Sequence, residues 1–133
     1  MEKSLVLLKP EAVRRNLVGK LIERFERAGL IVEKLKMDQF DREIITELYQ
    51  DHKDKSFFDD VVSHMSENKI VAMVIKSEGD TIRKIRTLIG STDPVEAAPG
   101  TIRGDFDYAV EPDNLIHASD SQEAAKKELK LFF

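Results

Sequence analysis

Apolar residues near the start of the chain form a short unbroken run and then a stripe with helical spacing. The run from Leu5 to Leu8 is typical of a strand buried on both faces. Lys9-Pro10 ends it, because proline lacks the N–H group that a central strand needs. The stripe predicts one amphipathic helix that ends at Gly29. Its main residues recur every four positions and are Val13, Leu17, Leu21 and Phe25.

The remaining apolar patterns predict three more strands and four more helices. Short apolar runs predict the strands, which cover residues 30–37, 70–75 and 114–117. Helical spacing predicts the helices, which cover residues 44–49, 58–65, 82–89 and 124–132. The last helix has three candidate N-caps, namely Ser119, Asp120 and Ser121.

This order of elements, β-α-β-α-α-β-α-β-α, indicates the fold class. Two halves of β-α-β type predict an α+β fold with a ferredoxin-like (split β-α-β) four-stranded antiparallel sheet covered by helices. A Rossmann-type parallel sheet is the alternative that the same order allows.

Residues 91–113 show no sustained period and are predicted to form a loop. Three of the chain's four prolines and two of its glycines fall here. Long loops are uncommon in compact domains and are usually functional, so we expect part of a site in this segment.

Length and composition indicate one acidic domain over residues 1–133. The net charge of −4 argues against a stable nucleic acid partner. The chain has no cysteine, which excludes disulfides, thiolate metal sites and a catalytic thiol. It shows no apolar segment of signal-peptide or membrane-spanning length, so we expect a cytoplasmic protein without a membrane partner.

His117 is the histidine whose position suggests chemistry, since it ends a short apolar strand just before a helix begins. Glu128 lies on the inward face of that helix, and a buried carboxylate needs a polar partner. His117 and Ser119 are the nearest candidates, and a carboxylate can fix the tautomer of a histidine. The alternatives are a packed core imidazole at His117 and a Glu128 side chain that reaches solvent.

Basic residues offer partners for phosphate. The chain has no Walker A loop and no G-x-G-x-x-G motif, so side chains would have to hold phosphates. Lys9 follows a buried strand, Arg86 leans towards the apolar side of its helix, and Arg103 lies between glycines in the long segment. With an oriented histidine, these three would form an anion site suited to a polyphosphate. His52 and His64 are expected to be solvated or partly exposed, and no histidine pair has metal-ligand spacing.

Four motifs, taken together and in order, resemble those of nucleoside diphosphate kinases over nearly the whole chain. The last two are too long for chance to be a good explanation. The motifs are Leu8-Lys9-Pro10-Glu11-Ala12-Val13, Phe57-Phe58, Ala98-Pro99-Gly100-Thr101-Ile102-Arg103-Gly104-Asp105-Phe106 and Asn114-Leu115-Ile116-His117-Ala118-Ser119-Asp120-Ser121.

The resemblance implies ping-pong transfer of the terminal phosphate of a nucleoside triphosphate, mainly ATP, to a nucleoside diphosphate, which maintains NTP and dNTP pools. His117 matches the family's nucleophile, phosphorylated on its pros nitrogen (Nδ1). Glu128 and Ser119 match the pair that steadies this histidine, and Lys9 completes the implied catalytic set. The implied nucleotide-binding residues are Lys9, Tyr49, Phe57, Arg86, Thr92, Arg103, Val110 and Asn114.

Each implied binding residue has an implied partner on the nucleotide. Lys9 and Asn114 would reach the ribose hydroxyl and the terminal phosphate. Phe57 and Val110 would lie on either side of the base, and stacking of this kind tolerates any base. The phosphates would be held by Arg86, Thr92 and Arg103.

The resemblance also implies a cofactor and an assembly. Mg²⁺ would be held mainly by the nucleotide phosphates rather than by protein ligands. The family forms homo-oligomers, with a hexamer favoured here and a tetramer as the alternative.

Several positions depart from the pattern that the family usually shows. They put loop geometry, affinity and subunit contacts in question rather than the reaction. The departures are Glu11-Ala12, Ser56, Asp59-Asp60, Glu111-Pro112-Asp113 and Ala118.

The competing function is a non-catalytic ferredoxin-like module that binds a small ligand or a protein. It predicts that Lys9, Arg86 and Arg103 do not converge and that His117 and Glu128 only pack. An RNA-binding sheet is not favoured, because the predicted strands are aliphatic and the chain is acidic.

Overall fold

The protein is described by a computed structural model that covers residues 1–110 and 113–133, so the Glu111-Pro112 departure lies outside the described residues. The strands are β1 (Glu2–Leu8), β2 (Ile31–Asp38), β3 (Ile70–Ser77) and β4 (Ile116–Ala118). The helices are α1 (Pro10–Arg14), α2 (Val18–Arg27), α3 (Arg42–Leu48), α4 (Phe58–Ser66), α5 (Thr81–Ile89), α6 (Ile102–Phe106) and α7 (Gln122–Phe132), with a 3₁₀ turn at Gln50–His52.

The four strands form one sheet in the order β2-β3-β1-β4. Each neighbouring pair is antiparallel, which confirms the predicted ferredoxin-like α+β class. The alternative of a Rossmann-type parallel sheet is wrong for the same reason. No helix in the described ranges is long and apolar enough to cross a membrane.

Strand β1 lies inside the sheet and is buried on both faces. Its side chains alternate, so Val6 and Leu8 enter one core while Leu5 and Leu7 enter the other. The first core includes residues of α2 and α5, and the second includes residues of α3, α4 and α7. The unbroken apolar run in the sequence is therefore the signature of a strand covered by helices on both sides.

The single helix predicted for residues 13–28 is wrong, because the chain forms two helices there. Asn16 has a φ of 58°, in the left-handed region that asparagine tolerates better than most residues. It separates α1 from α2, and Leu17 then starts the second helix as its N-cap. The spacing of apolar residues continues across this break, so the pattern alone does not reveal it. The predicted end at Gly29 is confirmed by its φ of 84°.

The segment predicted as a loop over residues 91–113 contains the short helix α6. Thr101 caps this helix by accepting a hydrogen bond from the N–H of Gly104 at 3.0 Å. A Cβ atom at Gly104 would lie 2.0 Å from the carbonyl oxygen of Ala98, so a glycine is required there. The helix escaped prediction because five residues are too few to show a period.

Gly90 fixes where this helix lies relative to α5. Its φ of 92° and ψ of −176° belong to a region that is essentially restricted to glycine. A Cβ atom at Gly90 would also lie 2.7 Å from Cβ of Thr101, the N-cap of α6. The end of α5 and the start of α6 therefore touch without room for a methyl group.

We expect Gly90→Ala to destabilise the fold by about 3 kcal/mol, from backbone strain and this overlap. Gly19→Ala is the matched control, because Gly19 lies in α2 with no atom within 4 Å of an added Cβ. The control should be neutral or up to about 1 kcal/mol more stable. Thermal unfolding followed by circular dichroism gives both values, and equal melting temperatures for the two variants would contradict the prediction.

Candidate functional site

His117 occupies the middle of β4, where it pairs with Leu7 of β1. Its neighbours Ile116 and Ala118 point into the core that contains α2 and α5. His117 therefore points to the opposite face of the sheet, because strand side chains alternate. Its side chain is 22% exposed, so the ring is both supported and accessible.

Glu128 on α7 contacts both His117 and Ser119. Its Oε1 lies 2.9 Å from Nε2 of His117 and accepts a hydrogen bond from the Ser119 hydroxyl at 2.8 Å. The expected inward direction of Glu128 is confirmed by these contacts. In a neutral imidazole, the hydrogen bond to Glu128 places the proton on Nε2, so Nδ1 is unprotonated and carries the lone pair.

The ring of His117 opens into a cleft of about 210 Å³. Five of the residues predicted for the site share this cleft with His117, and they come from distant parts of the sequence. They are Tyr49, Arg86, Thr92, Arg103 and Glu128. The other lining residues are Leu48, Asp51, His52, Ile116, Ala118, Asp120 and Ala124.

The two arginines of the cleft are held by backbone carbonyl groups. Arg86 donates from Nη1 to the carbonyl oxygen of Ala118 at 3.2 Å. Arg103, only 5% exposed, donates to the carbonyl oxygens of Gly90 and Ile116, each at 3.1 Å. Both guanidinium groups therefore lie beside His117, because Ile116 and Ala118 flank it in β4. The two arginines converge on His117, contrary to what the packing-only alternative expects.

Lys9 and Asn114 form a buried pair next to the cleft rather than part of its lining. Lys9 is fully buried, and its Nζ donates a hydrogen bond to Oδ1 of Asn114. The same ammonium lies 5.9 Å from the centre of the Tyr49 ring, within the range of a cation–π contact. Because Tyr49 also lies 6.2 Å from the His117 ring, the pair is linked to the histidine through one aromatic residue.

The aromatic residues form a short row that leads away from His117. The ring of His52 lies 6.4 Å from that of Tyr49 and 5.9 Å from that of Phe57. His52 is exposed, as expected, and it also lines the cleft, although its sequence position predicts no role in the site. His64 is partly exposed, also as expected. Val110 is 60% exposed and is not among the residues that line the cleft.

Two carboxylates of the cleft, those of Asp51 and Asp120, were not predicted as site residues. Asp51 follows Tyr49 by two positions, and Asp120 was considered only as a helix cap. Their sequence positions next to predicted site residues were the available signal. Among the described residues, no group of three or more histidine or acidic side chains could hold a metal ion.

Arg24 on α2 anchors the segment that carries Arg103. Its Nη2 lies 2.7 Å from Oδ2 of Asp105, and its Nη1 donates to the carbonyl oxygen of Gly100 at 3.2 Å. The N–H of Gly100 donates to Oδ1 of Asp105 at 2.9 Å. This hydrogen bond, together with the Arg24 guanidinium, holds the pKa of Asp105 below its usual value. The anchor therefore depends on an ionised Asp105.

Three of the residues that depart from the family's usual pattern make common stabilising interactions within helices. Glu11 forms an ion pair with Arg14 one turn later in the same helix. Asp59 and Asp60 lie in the first turn of α4, where negative charge interacts well with the helix dipole. None of these contacts disturbs the cleft.

Nearly the whole chain matches the model of a known protein family. The family model described as Nucleoside diphosphate kinase matches residues 2–133. The chain belongs to the nucleoside diphosphate kinase family. A nucleoside diphosphate kinase of Methanocaldococcus jannaschii is 48% identical over 132 residues, which are 99% of this chain and 93% of the relative. One of Sulfurisphaera tokodaii is 46% identical over 133 residues, which are 100% of this chain and 89% of the relative.

Solved structures of nucleoside diphosphate kinases have the same fold. A family protein from Babesia bovis superposes with a TM-score of 0.94 at 38% identity, covering 100% of this chain and 88% of the other. The halophilic enzyme of Halobacterium salinarum, in complex with CDP, gives 0.93 at 41% identity, with 99% and 87% covered. The resemblance noted in the sequence motifs is thereby confirmed, and the family is one of enzymes.

We expect Asp105→Asn to lower the melting temperature at neutral pH, because the anchor to Arg24 loses its charge. A lowered pKa in the folded state means that this stabilisation is present above the ordinary pKa of aspartate, about 3.9, and is lost as the pH falls through the lowered value. The difference between wild type and variant should therefore shrink as the pH falls below the ordinary pKa of aspartate. Glu23→Gln, which removes an exposed carboxylate paired with Arg27 on the same helix, is the control and should change little at either pH.

Proposed function

We propose that this chain transfers the terminal phosphoryl group of a nucleoside triphosphate, mainly ATP, to a nucleoside diphosphate through a phosphohistidine at His117. The observation that carries the proposal is the contact of Nε2 of His117 with Glu128 in a cleft that also contains Arg86 and Arg103. This arrangement combines a directed nucleophile with positive charge at the same place. Membership of the nucleoside diphosphate kinase family gives the reaction.

The proposed reaction uses His117 twice. In the first half, the lone pair of Nδ1 attacks the terminal phosphorus, the bond to the bridging oxygen breaks, and a nucleoside diphosphate leaves with that oxygen. In the second half, the terminal oxygen of another nucleoside diphosphate attacks the same phosphorus, and the N–P bond breaks. Glu128, supported by Ser119, keeps the ring oriented with its proton on Nε2 throughout both steps.

Charge neutralisation is the main help that the other residues would give. Phosphoryl transfer is accelerated chiefly by positioning and by stabilising charge on the phosphoryl oxygens. Arg86 and Arg103 supply fixed positive charge beside His117, and Thr92 adds a hydroxyl group at the edge of the cleft. Lys9 and Asn114 would reach the ribose hydroxyl and the terminal phosphate from their buried position.

The base of the nucleotide would lie at the outer end of the aromatic row. Phe57 offers a half-buried ring for stacking, and Val110 would cover the other side of the base. Tyr49 links this region to His117 through its ring. Because stacking on a ring does not depend on the identity of the base, the enzyme would accept several nucleotides.

Mg²⁺ would enter with the nucleotide. It would neutralise phosphate charge, as it does in other phosphoryl transfers. The carboxylates of Asp51 and Asp120 on the cleft wall suit contact with a hydrated cation of this kind, whereas the described residues lack a cluster of three ligands. This donor set fits a metal held mainly by phosphates.

The non-catalytic alternative is not favoured. A module that merely packs His117 against Glu128 would have no need of two arginines fixed beside the ring. The family match and the convergence of Arg86 and Arg103 on His117 both support an enzyme.

We expect the protein to gain one phosphoryl group when it is mixed with ATP and Mg²⁺ without an acceptor. Intact mass spectrometry would detect it, and the adduct should survive base but be lost in acid, as phosphohistidine is. Addition of GDP should remove the group and produce GTP. His117→Ala should show no adduct, because the attacking nitrogen is missing.

His64→Gln is the matched control, since His64 lies outside the cleft, and it should be phosphorylated like the wild type. If the wild type gains no adduct and makes no GTP, the proposed function is wrong and the binding-module interpretation replaces it. If His117→Ala still gains a phosphoryl group, the phosphotransfer activity stands, but His117 is not the residue that carries the phosphoryl group.

We also propose that residues 1–133 act as a single cytoplasmic domain that assembles into a homo-oligomer, with a hexamer favoured and a tetramer as the alternative. Strand β2 pairs with β3 and exposes apolar side chains at a sheet edge, which suits contact with a second copy. These are Ile31 (43% exposed), Leu35 (51%) and Met37 (49%).

Native mass spectrometry should therefore show an assembly larger than a monomer, and Leu35→Lys should shift it to smaller species by placing a charge in the contact. Lys126→Ala, which changes an exposed residue on α7, should leave the number of subunits in the assembly unchanged. A monomeric wild type would reject the assembly without affecting the proposed reaction.

A further inference from the structure

Asp107 lies where two parts of the site meet, at the end of α6 and beside the segment that leads into β4. Its N–H donates to the carbonyl oxygen of Arg103 at 3.0 Å, so it ends the helix that carries this arginine. Its carboxylate is half-buried, and Oδ2 accepts a hydrogen bond from the N–H of Leu115 at 3.2 Å. Oδ1 accepts from the N–H groups of Tyr108 at 3.1 Å and Ala109 at 3.4 Å.

Leu115 connects this carboxylate to the buried lysine. Its carbonyl oxygen accepts a hydrogen bond from the N–H of Lys9 at 2.8 Å. Asn114, the preceding residue, accepts a hydrogen bond from Nζ of the same lysine. The backbone of Leu115 is therefore held at its N–H by Asp107 and at its carbonyl oxygen by Lys9.

The surroundings of Asp107 match a carboxylate that holds backbone rather than substrate. Burial raises the pKa of Asp107, while the hydrogen bonds from the backbone of Leu115 and Ala109 and the charge of Arg103 oppose that shift. Asp107 is not among the residues that line the cleft. Any influence on the reaction has to pass through the groups that it holds.

We propose that Asp107 is a positioning residue for phosphoryl transfer, which holds Lys9 and Asn114 at a fixed place relative to Arg103. The inference rests on the proposed function of the cleft. Arg103 precedes Asp107 by one helical turn, and Leu115 follows it across the next segment, so one side chain links the two halves of the anion site. If Lys9 and Asn114 moved relative to Arg103, positive charge would be misplaced at the transferred phosphoryl group. A displacement of about 1 Å can reduce a catalytic rate by about a hundredfold.

Two variants and a control test the inference. Asp107→Ala removes all three accepted hydrogen bonds, and Asp107→Asn keeps one acceptor oxygen of the two. Asp113→Ala is the matched control, because Asp113 is an exposed carboxylate next to Asn114 in the same segment. Single-turnover phosphorylation of His117 by MgATP, followed by transfer to ADP, gives kcat/KM for each protein.

We expect kcat/KM to fall roughly tenfold to a hundredfold in Asp107→Ala. Asp107→Asn should lie between this variant and the wild type, and Asp113→Ala should stay within about twofold of the wild type. Melting temperatures measured in parallel show how much of each protein is folded in the assay.

A comparison of ADP with 3′-deoxy-ADP separates positioning from general damage. If Lys9 and Asn114 reach the ribose hydroxyl, the wild type prefers ADP, and this preference should shrink in Asp107→Ala because the two side chains are displaced. A merely structural role would lower the folded fraction and leave the preference unchanged.

The inference would be overturned by an Asp107→Ala protein that keeps the kcat/KM and the ADP preference of the wild type. It would equally be overturned if activity fell only in proportion to the unfolded fraction. A wild type that forms no phosphohistidine would instead reject the proposed function, and the inference with it. The two failures are therefore distinguishable in the same experiment.

Discussion

The pairing of β1 with strands on both of its edges is the constraint on which the other features depend. β1 hydrogen-bonds to β3 on one side and to β4 on the other, while its alternating side chains fill two cores. Because its faces and edges are all occupied, the register of β4 is set by backbone pairing, with His117 opposite Leu7. If β4 were shifted by one residue relative to β1, the imidazole would point to the other face of the sheet, into the core that contains α2 and α5.

The same strand delivers the buried lysine. Lys9 follows the last residue of β1, and its N–H bonds to the carbonyl oxygen of Leu115 just before β4. An ammonium without exposure is costly unless polar groups surround it. The Lys9 ammonium donates a hydrogen bond to the side-chain oxygen of Asn114 and faces the ring of Tyr49. Tyr49, which stabilises the buried lysine, also lies beside His117.

The anion site is assembled mainly from ends of elements rather than from their middles. Arg86 lies in the last turn of α5, and Arg103 lies in the short helix α6, whose position is limited by the contact between Gly90 and Thr101. Backbone carbonyls of Gly90 and Ile116 hold Arg103 in turn. Positive charge is thereby fixed before any ligand arrives, which lowers the reorganisation that catalysis would need.

Local periodicity was enough for the strands, most helices and the inward direction of Glu128, because burial of one face leaves a repeat that can be read along the chain. The motifs around His117 and Arg103 identified the family. The break at Asn16 and the five-residue helix α6 were decided by backbone conformation and tertiary contacts, which leave no period in the sequence. Only the folded chain brought Asp51, His52 and Asp120 to the cleft and Asp107 to Leu115, because these contacts join residues that no local pattern relates.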